Sequence, residues 1–263
     1  MTHKVFGAEP CVIAALHLPD FPLSRHLSLS WFEEYALANA RVFAEAGVPF
    51  LKLQDQTRTA GPASAETIAR MSALARLIRA ELPTLGLGII VEAHDAAAAL
   101  SVAHASGADF VRLKVFVGGA MTSEGPRHGL GAEAVAYRSS IGASGVAILA
   151  DVHDRTARPL SDEPQPFAAN WAAKVGADGL IITGSSFADT CTRIGAVRQA
   201  VPSRPILIGG GVTEGNVADA LATADGVIVS SALMRKTAED DDLIRWDADL
   251  CHRFMDAARG SSR

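Results

Sequence analysis

Two short segments near the C-terminus have the residue types that bind a phosphate group. Gly209, Gly210 and Gly211 directly follow an apolar run, and a second apolar run further along ends in Ser230 and Ser231. Glycines leave backbone N–H groups free to approach an anion, and a helix N-terminus adds unpaired N–H groups and a positive field. A tight turn with no ligand would also use glycine. The pairing of the two segments favours a phosphate site, of the kind found after strands 7 and 8 of a (β/α)8 barrel.

A second set of residues could transfer protons. Each follows an apolar run, and in this architecture polar residues at the ends of strands form the active site. Acids, lysine and histidine there are the usual general acids and bases. The candidate catalytic residues are Asp151, Lys114, Glu92, His153 and His17, and Gly184, Ser185 and Arg112 are added to the glycines and serines above as candidate substrate- or phosphate-binding residues.

Several of these side chains also have structural explanations. Arg112 in a salt bridge with Glu92 or Asp151 would stabilise the barrel without catalysis, and a neutral histidine at a strand end is a common hydrogen-bond partner. For Asp151, we predict Lys114 on the neighbouring strand as the partner cation. Asp151, His153 and Asp154 with His94 could instead hold a divalent metal, but their spacing is weak evidence, and no cofactor is predicted.

The elements that would position these residues repeat along the chain. Apolar runs alternate with segments of helical periodicity, and short glycine-containing segments precede several runs, as expected where a helix ends and a strand begins. Eight runs and about 250 residues are typical of one (β/α)8 domain, here residues 1–263. The predicted strands are residues 12–18, 50–53, 87–91, 110–116, 146–152, 179–183, 205–208 and 226–229.

Composition narrows the class of protein. A hydrophobic fraction of 49% provides a large core, and a net charge of −5 argues against a nucleic-acid or membrane partner. Three widely spaced cysteines indicate reduced thiols, and the N-terminal residues lack the apolar core of a signal peptide. We therefore expect a cytoplasmic protein, a homo-oligomer as many such barrels are. Residues 116–131 and 154–166 are predicted to be irregular loops, and residues 118–131 of the first are predicted to be a mobile, glycine-rich lid over the barrel mouth.

The order and spacing of six motifs resemble those of the BtpA/SgcQ family over nearly the whole chain. The resemblance implies a phosphate-binding (β/α)8 barrel, and family members take their names from photosystem I biogenesis or from a sugar-utilisation operon. The motifs lie in residues 15–22, 107–112, 118–125, 149–153, 177–184 and 208–216. The chain is a divergent member by this comparison, because Gln54, Glu92 and Lys114 replace residue types usual in the family.

Two classes of function follow. The first is an enzyme acting on a small phosphorylated metabolite, a sugar phosphate or nucleotide, with cleavage or formation of a glycosidic bond slightly preferred over isomerisation or aldol-type cleavage. The second is a non-catalytic assembly factor on a barrel scaffold, since a barrel does not guarantee chemistry.

Overall fold

Eight parallel strands close into a barrel, as the sequence predicted. The computed structural model describes residues 3–59, 61–239 and 242–260. Its strands are β1 (Val12–His17), β2 (Phe50–Gln54), β3 (Gly86–Ile90), β4 (Phe110–Leu113), β5 (Gly119–Thr122), β6 (Gly125–His128), β7 (Ala147–Asp151), β8 (Arg158–Pro159), β9 (Gly179–Ile182), β10 (Ile206–Ile208) and β11 (Gly226–Val229). The barrel order is β1-β2-β3-β4-β7-β9-β10-β11, and β11 pairs with β1. The eight predicted strands are therefore the eight barrel strands.

Helices cover the outside of the barrel. They are α1 (Leu29–Glu45), α2 (Ala65–Glu81), α3 (Ala96–Ser106), α4 (Gly131–Ser140), α5 (Gln165–Val175), α6 (Phe187–Ala200), α7 (Val217–Thr223) and α8 (Ala248–Gly260). The larger apolar core lies between these helices and the outward faces of the strands. Side chains alternate between the two faces of a strand, so every second residue points into the barrel instead.

Aromatic rings fill the lower barrel interior. Phe50 and Phe110 belong to a separate apolar cluster, which the N-terminal residue Val5 joins. Gly86 and Gly88 make room for the rings: a Cβ atom at Gly86 would lie 2.0 Å from Phe50, and one at Gly88 would lie 2.1 Å from Phe110. Any side chain at these two positions would displace a ring, so the interior is closed below the level of the strand ends.

The short segments that precede several strands fix the N-terminal end of the barrel. Gly107 and Gly176 have φ angles of 72° and 120°, as expected for glycines that end helices. The aspartates in these segments also connect neighbouring elements. Asp109 accepts a 2.8 Å hydrogen bond from the N–H of Leu87 and pairs with Arg79. Asp178 and Asp225 repeat this arrangement with Ile148 and Arg138 and with Ile206 and Arg198. These carboxylates serve the scaffold and lie far from the strand ends that carry the candidate site.

The prediction of irregular loops after β4 and β7 is wrong in part. Strands β5 and β6 form an antiparallel hairpin, and β8 from the second loop pairs with β5. The tip of the hairpin, Thr122 to Glu124, lies beside Glu92 and Lys114 at the barrel mouth. Backbone pairing explains why these two segments form regular structure, because β8 hydrogen-bonds to the free edge of the hairpin.

Candidate functional site

The candidate residues lie at the barrel mouth because of strand alternation. Phe50 and Phe110 point into the barrel. The residues two and four positions later therefore also point inward, near the top. They are Lys52 and Gln54 after Phe50, and Arg112 and Lys114 after Phe110. A cleft of about 370 Å³ opens there. Its polar lining includes His17, Lys52, Gln54, Arg58, Arg112, Lys114, Asp154, Arg155, Gly209, Gly210, Gly211, Ser230 and Ser231.

Asp151 is held by Arg112 and not by Lys114, contrary to the sequence prediction. The Arg112 Nε and Nη2 atoms lie 2.7 and 2.8 Å from the two carboxylate oxygens of Asp151. Burial raises the pKa of Asp151, and the Arg112 guanidinium opposes part of that effect. Both oxygens of Asp151 are engaged in a bidentate pair, the strongest geometry for an arginine and a carboxylate. The structural explanation for Arg112 therefore applies, and its partner is Asp151.

Lys114 belongs to a chain of hydrogen bonds that runs across the mouth. Its Nζ atom lies 2.7 Å from Glu92 Oε2, and the other oxygen of Glu92 accepts from Gln54 Nε2 at 2.7 Å. The Gln54 Oε1 atom in turn accepts from Lys52 Nζ at 2.5 Å. Asp55 supports this chain from behind, since its carboxylate accepts from the Glu92 N–H at 2.7 Å. The chain joins two amines through one amide and one carboxylate, so each side chain fixes the position of the next across the mouth.

The glycine and serine segments form one wall of the cleft, as expected for an anion site. Gly211 has a φ angle of 78°, a conformation that favours glycine. The backbone hydrogen bonds recorded for the described residues leave the N–H groups of Gly210, Gly211 and Ser231 without partners. The buried hydroxyl of Ser230 also has no partner among the described residues. The Ser230 hydroxyl is an unpaired buried donor, which is rare, and the three N–H groups belong to residues that line the same cleft, so together they indicate a ligand position.

Gly184 and Ser185 do not contribute to this wall. The Gly184 N–H donates to Thr190 Oγ1 at 2.9 Å, and the N–H and hydroxyl of Ser185 both donate to the Asp189 carboxylate. These donors are taken up by acceptor side chains in the first turn of α6, and the Asp189 carboxylate would repel an anion. The sequence prediction that these two residues bind phosphate therefore lacks support from their contacts.

His17 lies in the cleft as a neutral imidazole. Burial lowers its pKa to about 3, and the positive charges of Lys52, Arg245, Lys114 and Arg112 act in the same direction. His17 was a catalytic candidate because the ordinary pKa of histidine lies near neutrality. Burial and the nearby positive charges lower its pKa far below that range. His17 can still accept or donate a hydrogen bond to a ligand.

His153 faces a narrow cavity that adjoins the cleft and is lined also by Lys114, Asp151 and Trp171. Its φ angle is 60°, which is unusual for a residue other than glycine. Burial and Arg193 lower its pKa. The residue remains a candidate for contact with substrate.

The proposed metal ligands are not brought together. His94 places its Nε2 atom 2.6 Å from the carbonyl oxygen of His128, and Asp151 is engaged by Arg112. Within residues 3–59, 61–239 and 242–260, no three histidine, cysteine, aspartate or glutamate side chains form a group suited to a metal ion. The hypothesis of a metal held by Asp151, His153, Asp154 and His94 is therefore wrong in its ligand set.

The catalytic and binding candidates chosen from the sequence do not include Lys52, Gln54, Arg58 or Arg155, which all line the cleft. Lys52 and Gln54 alternate with outward-facing residues after Phe50, so the period of the strand could have placed them inside. Arg155 lies on the loop after β7, and its guanidinium would lie 3.6 Å from a Cβ atom built on Gly210. It makes no ion pair with the described residues. No sequence signal distinguishes Arg155 from other loop arginines.

Known proteins are similar to this chain over most of its length. The chain is 31% identical over 239 residues to the photosystem I biogenesis protein BtpA of Synechocystis sp., covering 88% of this chain and 83% of that protein. It is 30% identical over 257 residues to an uncharacterized protein of Archaeoglobus fulgidus, covering 96% of this chain and 100% of that protein.

Solved structures share the fold at low sequence identity. A tryptophan synthase from M. tuberculosis superposes with a TM-score of 0.60 at 18% identity, covering 94% of this chain and 92% of that one. A 4-hydroxy-2-oxoglutarate aldolase gives 0.57 at 18% identity, covering 98% and 97%. These likenesses support the barrel fold alone.

Two further findings concern the chain as a whole. No helix among the described residues is long and apolar enough to cross a membrane. The model of the BtpA family matches residues 8–260, which is nearly the entire sequence. The chain therefore belongs to the BtpA family.

Proposed function

We propose that the protein is an enzyme that binds a small phosphorylated metabolite by its phosphate group and moves protons at the other end of that molecule. The observation that carries the proposal is the set of unpaired donors on one wall of the cleft. The buried hydroxyl of Ser230 and the N–H groups of Gly210, Gly211 and Ser231 all lack partners among the described residues. A phosphate oxygen would satisfy several of them at once.

The charges around the cleft favour an anionic ligand. Besides Lys52, four basic side chains line it, against one acidic side chain, Asp154: Arg58, Arg112, Lys114 and Arg155. Glu92 and Asp151 lie just behind: Asp151 pairs with Arg112, and Glu92 pairs with Lys114 and, at 3.9 Å, with Arg58. Arg155 next to Gly210 is well placed to hold a phosphate from the open side, since a guanidinium matches phosphate geometry. A volume of about 370 Å³ suits a compact metabolite.

Lys114 and Glu92 are the best candidates for the chemical step. Lys114 Nζ and Glu92 Oε2 share a proton across a 2.7 Å hydrogen bond, so either side chain could exchange a proton with a substrate. Binding energy from the phosphate can hold the reacting carbon against this pair. Lys114 lines the cleft just past the end of β4, with Glu92 behind it just past the end of β3, on the opposite side of the barrel from β10 and β11, which carry the phosphate wall.

The geometry favours chemistry next to a carbonyl over cleavage of a glycosidic bond. The glycosidic hypothesis used Asp151 to stabilise positive charge at an anomeric carbon, but Arg112 already neutralises both oxygens of that carboxylate. Isomerisation and aldol-type cleavage instead need a proton taken from or given to an atom near a carbonyl group, which Lys114 and Glu92 can do. A sugar phosphate with an aldehyde or ketone group is the substrate class that fits both ends of the cleft.

Paired ligands test this proposal. Thermal unfolding is measured with ribose 5-phosphate and glyceraldehyde 3-phosphate, each against its unphosphorylated twin. A phosphorylated ligand at a hundred times its Kd should add about 2.7 kcal/mol of stability, which raises the Tm of a domain this size by roughly 5–10 °C. Equal stabilisation by the twins would contradict phosphate anchoring. Compounds that stabilise are then assayed for turnover.

A non-catalytic role is the second candidate, because one relative is named for photosystem I biogenesis. That role predicts that Lys114→Ala and Glu92→Ala proteins remain fully functional and that no stabilising ligand is converted. Loss of turnover at least ~100-fold in Lys114→Ala, a size typical for one acid–base group, together with unchanged phosphate binding would support the enzyme instead.

A further inference from the structure

Lys52 is a buried amine without a carboxylate partner at the bottom of the cleft. Only 2% of the residue is exposed, yet it lines the cleft together with the phosphate wall. Its neighbours in register are Ala15 on β1 and Gly88 on β3, which are too small to cover it. Its one recorded side-chain bond is the 2.5 Å donation to Gln54 Oε1, and the ion pairs of the described residues do not include it.

The surroundings of Lys52 disfavour an ammonium ion. Burial lowers its pKa well below the ordinary value, and the charges of Arg112 and Lys114 act in the same direction, against Glu92 and Asp151. Those two carboxylates are already paired, with Lys114 and with Arg112. A lysine that loses its proton in a dry site is a nucleophile, as carbonyl-reactive lysines require.

We propose that Lys52 is a nucleophilic catalytic residue that forms an imine with the carbonyl carbon of a phosphorylated aldehyde or ketone. This rests on the proposed function, since the phosphate wall must hold the substrate over the amine. Strand β2 lies two strands from β11, with Ala14 paired to Val229 and Ala15 to Lys52. Neighbouring strands are about 4.8 Å apart, so Lys52 starts roughly 10 Å from Ser230, a span that a triose or pentose phosphate bridges.

The step balances with groups present in the cleft. The lone pair of Lys52 Nζ forms a C–N bond while the carbonyl π pair moves to oxygen, which takes a proton from the ammonium group of Lys114. One proton then passes from nitrogen to that oxygen, and water leaves as the protonated imine forms. The sum is amine plus carbonyl plus one proton giving protonated imine plus water. Lys114 is left neutral beside Glu92 and able to take a proton from the neighbouring carbon.

Reductive trapping of the wild-type protein tests the proposal. The protein is incubated with glyceraldehyde 3-phosphate and borohydride, and peptide mass spectrometry locates the reduced adduct among the five lysines, Lys4, Lys52, Lys114, Lys174 and Lys236. We expect Lys52 to carry at least ten times more adduct than any other lysine. Excess inorganic phosphate, or the use of unphosphorylated glyceraldehyde, should lower labelling of Lys52 at least tenfold and leave the exposed Lys174 unchanged.

Calorimetry with inorganic phosphate separates the imine at Lys52 from the proposed phosphate-anchored function. No adduct on Lys52 in a protein that binds phosphate overturns the imine and leaves the proposed function standing. No adduct in a protein that does not bind phosphate removes both. Adduct mainly on Lys114 also overturns the proposal, because it reverses the two roles.

Matched variants provide the second arm. Lys52→Arg keeps a long side chain with nitrogen donors but cannot form an imine, and it should lose trapping at that position together with turnover of the trapped compound, at least a hundredfold. Lys174→Arg on the exposed face of α5 is the control and should react like the wild type. Turnover by a folded Lys52→Arg protein at the wild-type rate would contradict the proposal, whatever the trapping shows.

Discussion

Replacing Gly210 by valine should weaken phosphate binding and leave the barrel folded. A Cβ atom at this position would meet only the Arg155 guanidinium, at 3.6–3.8 Å, which is ordinary contact. The φ angle of Gly210 is not among the positive values recorded for other glycines. The free energy of unfolding should therefore change by no more than about 1 kcal/mol. The added methyl groups would instead occupy the space next to the unpaired N–H groups of the phosphate wall.

The expected loss of affinity follows from the bonds that valine blocks. A hydrogen bond to a charged group contributes about 1.5–3 kcal/mol, so losing one weakens phosphate binding roughly 10- to 150-fold. Titration calorimetry with inorganic phosphate measures this directly, and thermal unfolding of the same samples confirms the fold. Gly145→Val is the matched control: no atom lies within 4 Å of a Cβ there, and the residue precedes β7 at the other end of the barrel.

Two results would refute this reasoning. Equal phosphate affinity in wild type and Gly210→Val would show that the anion, if bound at all, does not use this wall. A loss of affinity of the same size in Gly145→Val would show that the effect is not local.

Three other predictions come from neighbouring contacts. Gly209→Ala should destabilise by about 1–3 kcal/mol through overpacking, because its Cβ would lie 2.3 Å from the Thr183 hydroxyl; a Tm equal to that of the wild type would contradict this. Asp151→Asn should cost about 3–5 kcal/mol in denaturant unfolding because it leaves the buried Arg112 charge unpaired, and a cost below 1 kcal/mol would count against that pair. The folded pKa of His17 is about 3, below its ordinary value of 6.5, so stability is complete above pH 6.5 and falls as the pH drops towards 3. About 2 kcal/mol should be lost between pH 7 and pH 5 through this group, and His17→Asn should remove that part of the slope while the exposed control His252→Asn keeps it.

The fold could be predicted because its signals are local. Glycines such as Gly107 and Gly176 end helices through their own backbone conformation, and an apolar run such as residues 147–150 reads as a buried strand without knowledge of its neighbours. The partners within the site could not be predicted in this way. By register, Lys114 lies level with Glu92 on one side and Asp151 on the other, so sequence alone offered both pairings.

Side-chain reach decided between those pairings. Arg112 lies two residues before Lys114 and reaches Asp151 diagonally, with its Nε and Nη2 atoms donating to the two carboxylate oxygens. Lys114 pairs with Glu92 instead. Lys52 was overlooked for a related reason. Its significance lies in the absence of a nearby free carboxylate and in its burial, and both are properties of the closed barrel.

A crystal structure of the protein grown with saturating ribose 5-phosphate tests the central claim most directly. The account predicts phosphate oxygens at hydrogen-bonding distance from the N–H groups of Gly210, Gly211 and Ser231 and from the Ser230 hydroxyl, with the sugar carbonyl end directed towards Lys52 and Lys114. A phosphate bound elsewhere on the molecule, with these donors still unpaired, would contradict it.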